Sequence, residues 1–356
     1  METDKGQKAF FTKRLMQWHD TENNRSLPWK EEKDPYRIWL SEIILQQTRS
    51  EQGRPYYLNF TTTYPTIQDL ADAPDEAAFR IWQGLGYYNR CKNMLATARY
   101  IAHDLGGKFP QSYEGLLALK GIGPYTAAAI GSFAFGLPHA VVDGNVYRVL
   151  SRYFGIEVPS DSTEGKKLFF ELANELLDKK RSAAYNQAIM DHGATVCTPA
   201  APKCHICPVQ EKCVAYHNGL IALLPVRSKK QAVRNRYFNY ILFTSGDDVW
   251  IMKRDGKDIW QNLYELYLYE SDQTITKQQL AKKIKESVDI SSELEYEGVL
   301  TQRLTHQLIE IKFYSMEIST TLKPPENEGR WVNQSMLKNF AFPKSIVSFL
   351  EKKLYF

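Results

Sequence analysis

Cysteine is scarce in this chain of 356 residues: there are five, and four of them fall within 17 positions. Long apolar runs are missing too. No stretch approaches the ~18 consecutive apolar residues of a membrane span, and the mean hydropathy is −0.43, so the expectation is a soluble protein with no membrane role. The amino terminus, METDKGQKAF, is charged and has no apolar core. Nothing therefore points to export into an oxidising compartment, and a disulfide framework is not expected. The chain reads as intracellular and cytoplasmic. It also lacks internal repeats, low-complexity tracts and a strong excess of either charge, with 45 Lys and Arg against 41 Asp and Glu.

What is present is material for two cores. Hydrophobic residues make up 43% and aromatics 13% of a length that suits two domains better than one. Residues up to about 220 read as helical, whereas from Tyr237 onward short alternating runs such as LIEIKFYSMEI take over. The expected division is a helical domain over 1–224, a basic linker over 225–236 and an α+β domain over 237–356. Strands are expected at YFNYILF, DVWIMKR, LYELYLYE and LIEIKFYSMEI, and helices in TKQQLAKKIKES and SIVSFLEKKL. Charge is uneven along the chain. From Cys197 to Arg236, Lys203, Lys212, Arg227, Lys229, Lys230, Arg234 and Arg236 face Glu211 alone, a net +6 that leaves −2 for the remainder. Such a segment favours a polyanion, although a solvated linker would look the same.

The clustered cysteines, Cys197, Cys204, Cys207 and Cys213, read C-x6-C-x2-C-x5-C. With disulfides set aside, thiolates at this density suit a metal centre, and the spacing leaves zinc and an iron–sulfur cluster equally open. Cys91 stands apart and receives no role.

Two carboxylates stand out. Asp34-Pro35 should open the helix YRIWLSEIILQQT, on which Ile38, Glu42 and Leu45 share a face. A carboxylate in an apolar stripe has its pKa raised by desolvation, which makes Glu42 a candidate general acid. Asp143 precedes the helical run GNVYRVLSRYF, where helix amides should favour the anion and lower its pKa. A neutral acid beside an anion is how glycosidic-bond enzymes divide their work. Taken singly, Glu42 could instead be paired with an arginine and Asp143 could be a plain helix cap. Between two helical runs, Gly121-Ile122-Gly123 permits a tight reversal that bares amides able to grip a phosphate. WQGLGYYNR and LQQTR set polar and aromatic residues beside glycines. There Gln47 and Tyr87 could fill the gap left by an extruded base.

Together, SEIILQQT, WQGLGYYNR, LKGIGPYTAAA, VVDGNVYRVLSR and the cysteine pattern resemble the helix-hairpin-helix DNA glycosylases of the endonuclease III superfamily, and within them the MutY-type adenine DNA glycosylases, over essentially the whole chain. The resemblance implies an all-α helix-hairpin-helix region followed by an α+β Nudix-like domain that inspects 8-oxoguanine. It also implies a [4Fe–4S] cluster on the four cysteines. The implied reaction is hydrolysis of the N-glycosidic bond of adenine mispaired with 8-oxoguanine or guanine in double-stranded DNA. By the same resemblance Glu42 protonates N7 of the flipped adenine, Asp143 stabilises the sugar cation and Tyr125 supports that step. Arg25, Trp29, Leu45 and Gln187 line the adenine pocket. Gln47, Leu85, Tyr87, Thr305 and His306 contact the wedge region and the lesion, while Gly121, Ile122, Gly123 and Tyr125 form the phosphate-binding hairpin.

Departures from the family pattern sharpen the expectation. Where endonuclease III carries a lysine nucleophile this chain has Tyr125, so the enzyme should be monofunctional and leave an abasic site. The segment after LYELYLYE lacks a Nudix glutamate cluster, so pyrophosphatase activity is not expected. The lesion loop reads Leu304-Thr305-His306 in place of Phe-Ser-His, and Gln187 stands where some relatives have glutamate. The expected protein is a monomer in the bacterial cytoplasm, held at the nucleoid by its DNA. The rival expectations are a related glycosylase for T:G mispairs or oxidised pyrimidines, and a non-catalytic iron–sulfur protein that binds damaged DNA.

Overall fold

Local signals at the helix ends account for most of the helical architecture. Asp34 caps one helix by accepting from the Tyr36 amide at 2.9 Å, with Pro35 in the first turn. Gly123 and Pro124 open another, which Gly136 closes at φ +67°. Asp143 caps a third, closed by Gly155 at φ +68°. The computed structural model describes residues 5–228, 233–287, 292–318 and 329–354. Lys229 and Lys230 of the basic segment lie outside the described residues.

In chain order the first helices are Lys5–Thr21 (α1), Pro35–Leu45 (α2), Ser50–Thr63 (α3), Ile67–Asp72 (α4), Asp75–Trp82 (α5) and Asn89–Arg99 (α6). There follow Tyr113–Leu117 (α7), Pro124–Phe135 (α8), Gly144–Phe154 (α9), Thr163–Leu176 (α10), Ser182–Thr195 (α11) and Val214–His217 (α12). The chain forms two units. One comprises Met1–Asp72 with Asn93–Lys229, the other Ala73–Lys92 with Lys230–Phe356. No helix among the described residues is long and apolar enough to cross a membrane.

Within the first unit α9 is central. Val146, Val149, Leu150 and Tyr153 recur at helical spacing and are at most 1% exposed, packed with Phe11, Leu15, Phe169 and Tyr185 from α1, α10 and α11. Small residues do the same for α8, where Ala127, Ala128 and Ala129 are fully buried.

The second unit is built on a mixed sheet. Its strands are Arg234–Ser245 (β1), Asp248–Lys253 (β2), Tyr264–Glu265 (β3), Tyr267–Ser271 (β4), Glu295–Arg303 (β5), Gln307–Glu317 (β6) and Gly329–Asn333 (β7). The main order is β3-β2-β1-β6-β5, with β4 also on β1 and β7 on β2; β1 and β6 run parallel and the other pairs antiparallel. Both faces are covered: Phe238, Tyr240 and Leu242 join Ile346 and Leu350 of Lys344–Leu354 (α14), while Ile241 and Phe243 join Leu280 and Ile284 of Lys277–Ser287 (α13). The expected strands and helices form here, except that LYELYLYE, expected as one strand, is divided into β3 on β2 and β4 on β1; β5 and β7 were not expected. β5 shows half-exposed alternation at the sheet edge and carries few of the apolar residues by which strands are recognised.

The basic segment needs correcting. Residues 234–236 belong to β1, so the linker does not extend through Arg236. Arg236 is buried, with both ends of its guanidinium on carboxylates: Asp258 at 2.6 Å and Glu270 at 2.7 Å. Its charge is spent inside the second unit, and it is no part of a polyanion surface.

Candidate active site

A cavity of about 670 Å³ opens in the first unit among α2, α8, α9 and α11. Its walls bring together Glu42, Tyr125 and Asp143 with Arg25, Trp29, Leu45, Gln47, Gly121, Gly123 and Gln187. Residues spread over more than 160 positions thus meet at one space. A second cavity, of about 390 Å³, shares Trp29, Glu42 and Gln187 with the first, so these three form the partition between them.

Glu42 is 8% exposed on the buried face of α2. Burial is the largest influence on its carboxyl, followed by a hydrogen bond from the Tyr125 phenol that favours the anion and by repulsion from Asp143. The outcome is a pKa raised to about 7. Its partner is a phenol, and the alternative of an arginine pair is not realised. Tyr125 has its own pKa pushed well above 10.0, by burial first and then by the two carboxylates, so it remains a proton donor in that bond. Its hydroxyl also lies 3.9 Å from Met190 Sδ.

Asp143 departs from expectation. Its Oδ1 accepts from the amides of Asn145 and Val146, both at 2.8 Å, and its Oδ2 from Asn145 Nδ2 at 2.7 Å. These bonds and Arg148 favour the anion as foreseen. Burial opposes them more strongly and leaves the pKa raised above 3.8, where a fall was expected. The two carboxyls therefore differ through their partners: three donors hold Asp143, and one phenol holds Glu42.

The hairpin is partly as expected. Gly121 has φ +78°, and a Cβ there would lie 2.8 Å from Asn93 Cβ, so glycine is required on both counts. Gly123 lines the cavity at the start of α8. Ile122 does not line it: its side chain is 6% exposed and its amide is bonded to the Leu119 carbonyl at 3.1 Å. Neither is available to a phosphate, because a buried amide must find an internal acceptor.

Among the wedge candidates, Gln47 is exposed at the cavity with φ +58°. Leu85 is only 6% exposed and belongs to the core, so it is corrected from wedge to packing residue. In the second unit Tyr87 is 50% exposed at φ +49°, and its hydroxyl lies 2.8 Å from Thr305 Oγ1. Thr305 and His306 are both exposed in the turn between β5 and β6.

The four cysteines line one small space of about 30 Å³. No three of the described His, Cys, Asp and Glu side chains are gathered as a single metal ion would need. Four thiols around a common space have the donor chemistry of a metal centre, and the geometry leaves zinc and an iron–sulfur cluster both open. Burial first, and then repulsion among the cysteines, raises the Cys207 thiol to about 12 and raises Cys204 and Cys213, which a bound cation would reverse. Two arginines of α9 tie this loop to the cavity. Arg148 donates to Asn145 Oδ1 at 2.9 Å and to the Cys197 carbonyl at 2.7 Å; Arg152 donates to the Thr198 and Pro199 carbonyls at 2.7 and 2.8 Å.

Sequence reasoning missed Asp191. It is fully buried on α11 and holds Arg25 at 2.8 Å and Gln187 at 3.0 Å. Its four-residue spacing from Gln187 was the available signal.

The chain matches the HhH-GPD superfamily of base excision DNA repair proteins over residues 40–175 and the NUDIX domain over 239–352. The adenine DNA glycosylase of Buchnera aphidicola subsp. Schizaphis graminum is 30% identical over 346 residues, 96% of this chain and 98% of that protein. The adenine DNA glycosylase of Homo sapiens is 42% identical over 210 residues, 56% of this chain and 38% of that one. Among solved structures, a thermostable thymine-DNA glycosylase aligns with a TM-score of 0.55 at 30% identity, covering 60% of this chain and 98% of its own. Endonuclease III in a non-covalent DNA complex aligns with a TM-score of 0.53 at 19% identity over 61% of this chain and 99% of that one, a likeness of fold.

Proposed function

Since the chain belongs to the adenine DNA glycosylases, within the HhH-GPD superfamily of base excision DNA repair proteins, we propose that it releases adenine mispaired with 8-oxoguanine or guanine in double-stranded DNA. The observation that carries this is the meeting of Glu42, Tyr125 and Asp143 at one cavity large enough for a nucleoside.

The chemistry follows from the two environments. Glu42, which keeps a large protonated fraction near pH 7 where an exposed carboxyl keeps almost none, gives its proton to N7 of the extruded adenine. The C1′–N9 bond then breaks with its electron pair leaving on the base. The sugar cation that remains faces Asp143, whose negative charge is stabilised by three donors. Water adds to C1′ and loses its proton to a carboxylate, leaving an abasic site. Tyr125 offers no amine, so no Schiff base forms and the strand is not cut. Extrusion costs a few kcal/mol, least at a mispair, which contributes to selection.

Cys197, Cys204, Cys207 and Cys213 would hold a [4Fe–4S] cluster, whose iron–sulfur bonds supply a covalent tie for the loop that Arg148 and Arg152 join to α9. Tyr87, Thr305 and His306 present the polar contacts for the base opposite adenine.

Base release from A:8-oxoguanine, A:G, T:G and thymine-glycol duplexes tests the reading. Adenine release from the first two is expected. Release of thymine with adenine untouched would establish the rival glycosylase, and binding without release would leave a non-catalytic damage binder.

A further inference from the structure

Asp191 has no exposed side-chain surface, yet four side chains converge on it. Its Oδ1 accepts from Arg25 Nη1 at 2.8 Å and from Gln187 Nε2 at 3.0 Å. Its Oδ2 accepts from Asn23 Nδ2 at 2.9 Å and lies 3.4 Å from Lys30 Nζ. Two cations thus pair with one carboxylate in a dry setting.

This arrangement settles the polarity of Gln187. A primary amide has a donating and an accepting end, and a rotation of its plane exchanges them. An ionised carboxylate offers acceptors only, so the amide nitrogen must face Asp191 and Oε1 must face away. Gln187 lines the cavity beside Glu42 and Trp29, and among the described residues its Oε1 meets no donor. Adenine carries an amino group at position 6, which donates. Hypoxanthine and guanine carry a carbonyl there, which accepts. An oxygen held toward that edge favours the first and repels the others, and sites built to hydrogen-bond one partner reject its mismatched analogue strongly.

We infer that Asp191 is a positioning residue for substrate selection: it holds the Gln187 amide so that the carbonyl oxygen receives the 6-amino group of adenine. This rests on the adenine-release reading above. Arg25, which also lines the cavity, is anchored by the same carboxylate and bonded to Ser50 Oγ at 3.2 Å.

The test is the ratio of single-turnover rates for adenine and hypoxanthine, each opposite 8-oxoguanine. In Asp191→Asn the amide at 191 can serve either end of Gln187, and the ratio should fall by roughly tenfold or more. Gln187→Met keeps the Asp191 ion pairs, removes the oriented carbonyl and should lower the ratio likewise. The double variant Asp191→Asn with Gln187→Glu restores a donor facing an acceptor in fixed order and should recover the preference for adenine. An unchanged ratio in Gln187→Met overturns the inference even if Asp191→Asn does not fold. A folded Asp191→Asn in which both rates drop in parallel overturns it too, since that is the mark of a merely structural role. Wild-type protein that releases neither base overturns the functional reading instead.

Discussion

At the residue scale, the site depends on Glu42 being neutral where it is buried, and that state has a consequence for stability as well as for rate. Its pKa is about 7 in the fold against 4.5 for the exposed group, so the native chain binds more protons than the unfolded chain between those values. Stability is therefore fully present below 4.5 and is lost as pH rises through about 7. Glu42→Gln removes the titration. It should abolish adenine release yet leave the variant more stable than wild type above pH 7, by up to on the order of 3 kcal/mol, with the advantage shrinking toward pH 4.5. Melting both proteins across that range checks it, and parallel curves would remove the buried neutral acid. The rate of base release should decline as pH rises through about 7, for the same proton. Tyr125→Lys places an amine in the same pocket, and borohydride at high pH should trap a covalent adduct with DNA; a folded variant that traps none would misplace the sugar. Glu42 was legible because a carboxylate interrupts an apolar face. The direction at Asp143 was not legible, because the cap was visible in sequence and the burial around it was not.

At the scale of elements, α9 links the chemistry to the cysteine loop. Asp143 starts it, Asn145 and Arg148 carry the connection, and Arg152 meets the loop carbonyls. That explains why VVDGNVYRVLSR is so densely polar on a helix whose other face is core. The far end of α9 is equally constrained. Gly155 has φ +68°, and a Cβ there would lie 2.5 Å from Val214 Cγ1, immediately after Cys213. Gly155→Ala combines left-handed strain with overpacking and should cost about 2 kcal/mol or more. The same change should lower iron content by displacing the start of α12, and pairing it with Val214→Ala should recover part of both losses. Iron content and melting temperature that do not move would show that this junction yields freely. Capping residues and glycines made α2, α8 and α9 readable in advance. Strand β5 was not, since an edge strand needs little apolar alternation.

At the scale of the molecule, the NUDIX match at 239–352 falls where the sequence changes from helical to alternating pattern, and the chain divides into two units. The sequence did not reveal that residues 73–92 group with the carboxy-terminal unit, where Tyr87 meets Thr305 across 218 positions. Contacts at such separation leave no periodicity to read. Charge poses the same problem, because a count of basic residues does not distinguish paired from free ones. Lys203, Lys212 and Arg227 are exposed, whereas Arg236 is buried between Asp258 and Glu270. Asp258 is correspondingly held down to about 2 by its arginines, despite the opposing effect of burial. Only the exposed group can release counterions from DNA. If the three each meet a phosphate, affinity for an abasic-site duplex should weaken roughly 40-fold between 50 and 200 mM salt on their account alone. Lys203→Ala and Lys212→Ala should each flatten the logarithmic salt slope by about one. Arg236→Ala should leave the slope unchanged while destabilising the fold by about 2 kcal/mol or more, since two carboxylates lose their partner. A slope that flattens in Arg236→Ala and not in the lysine variants would reverse the assignment of which charges face DNA.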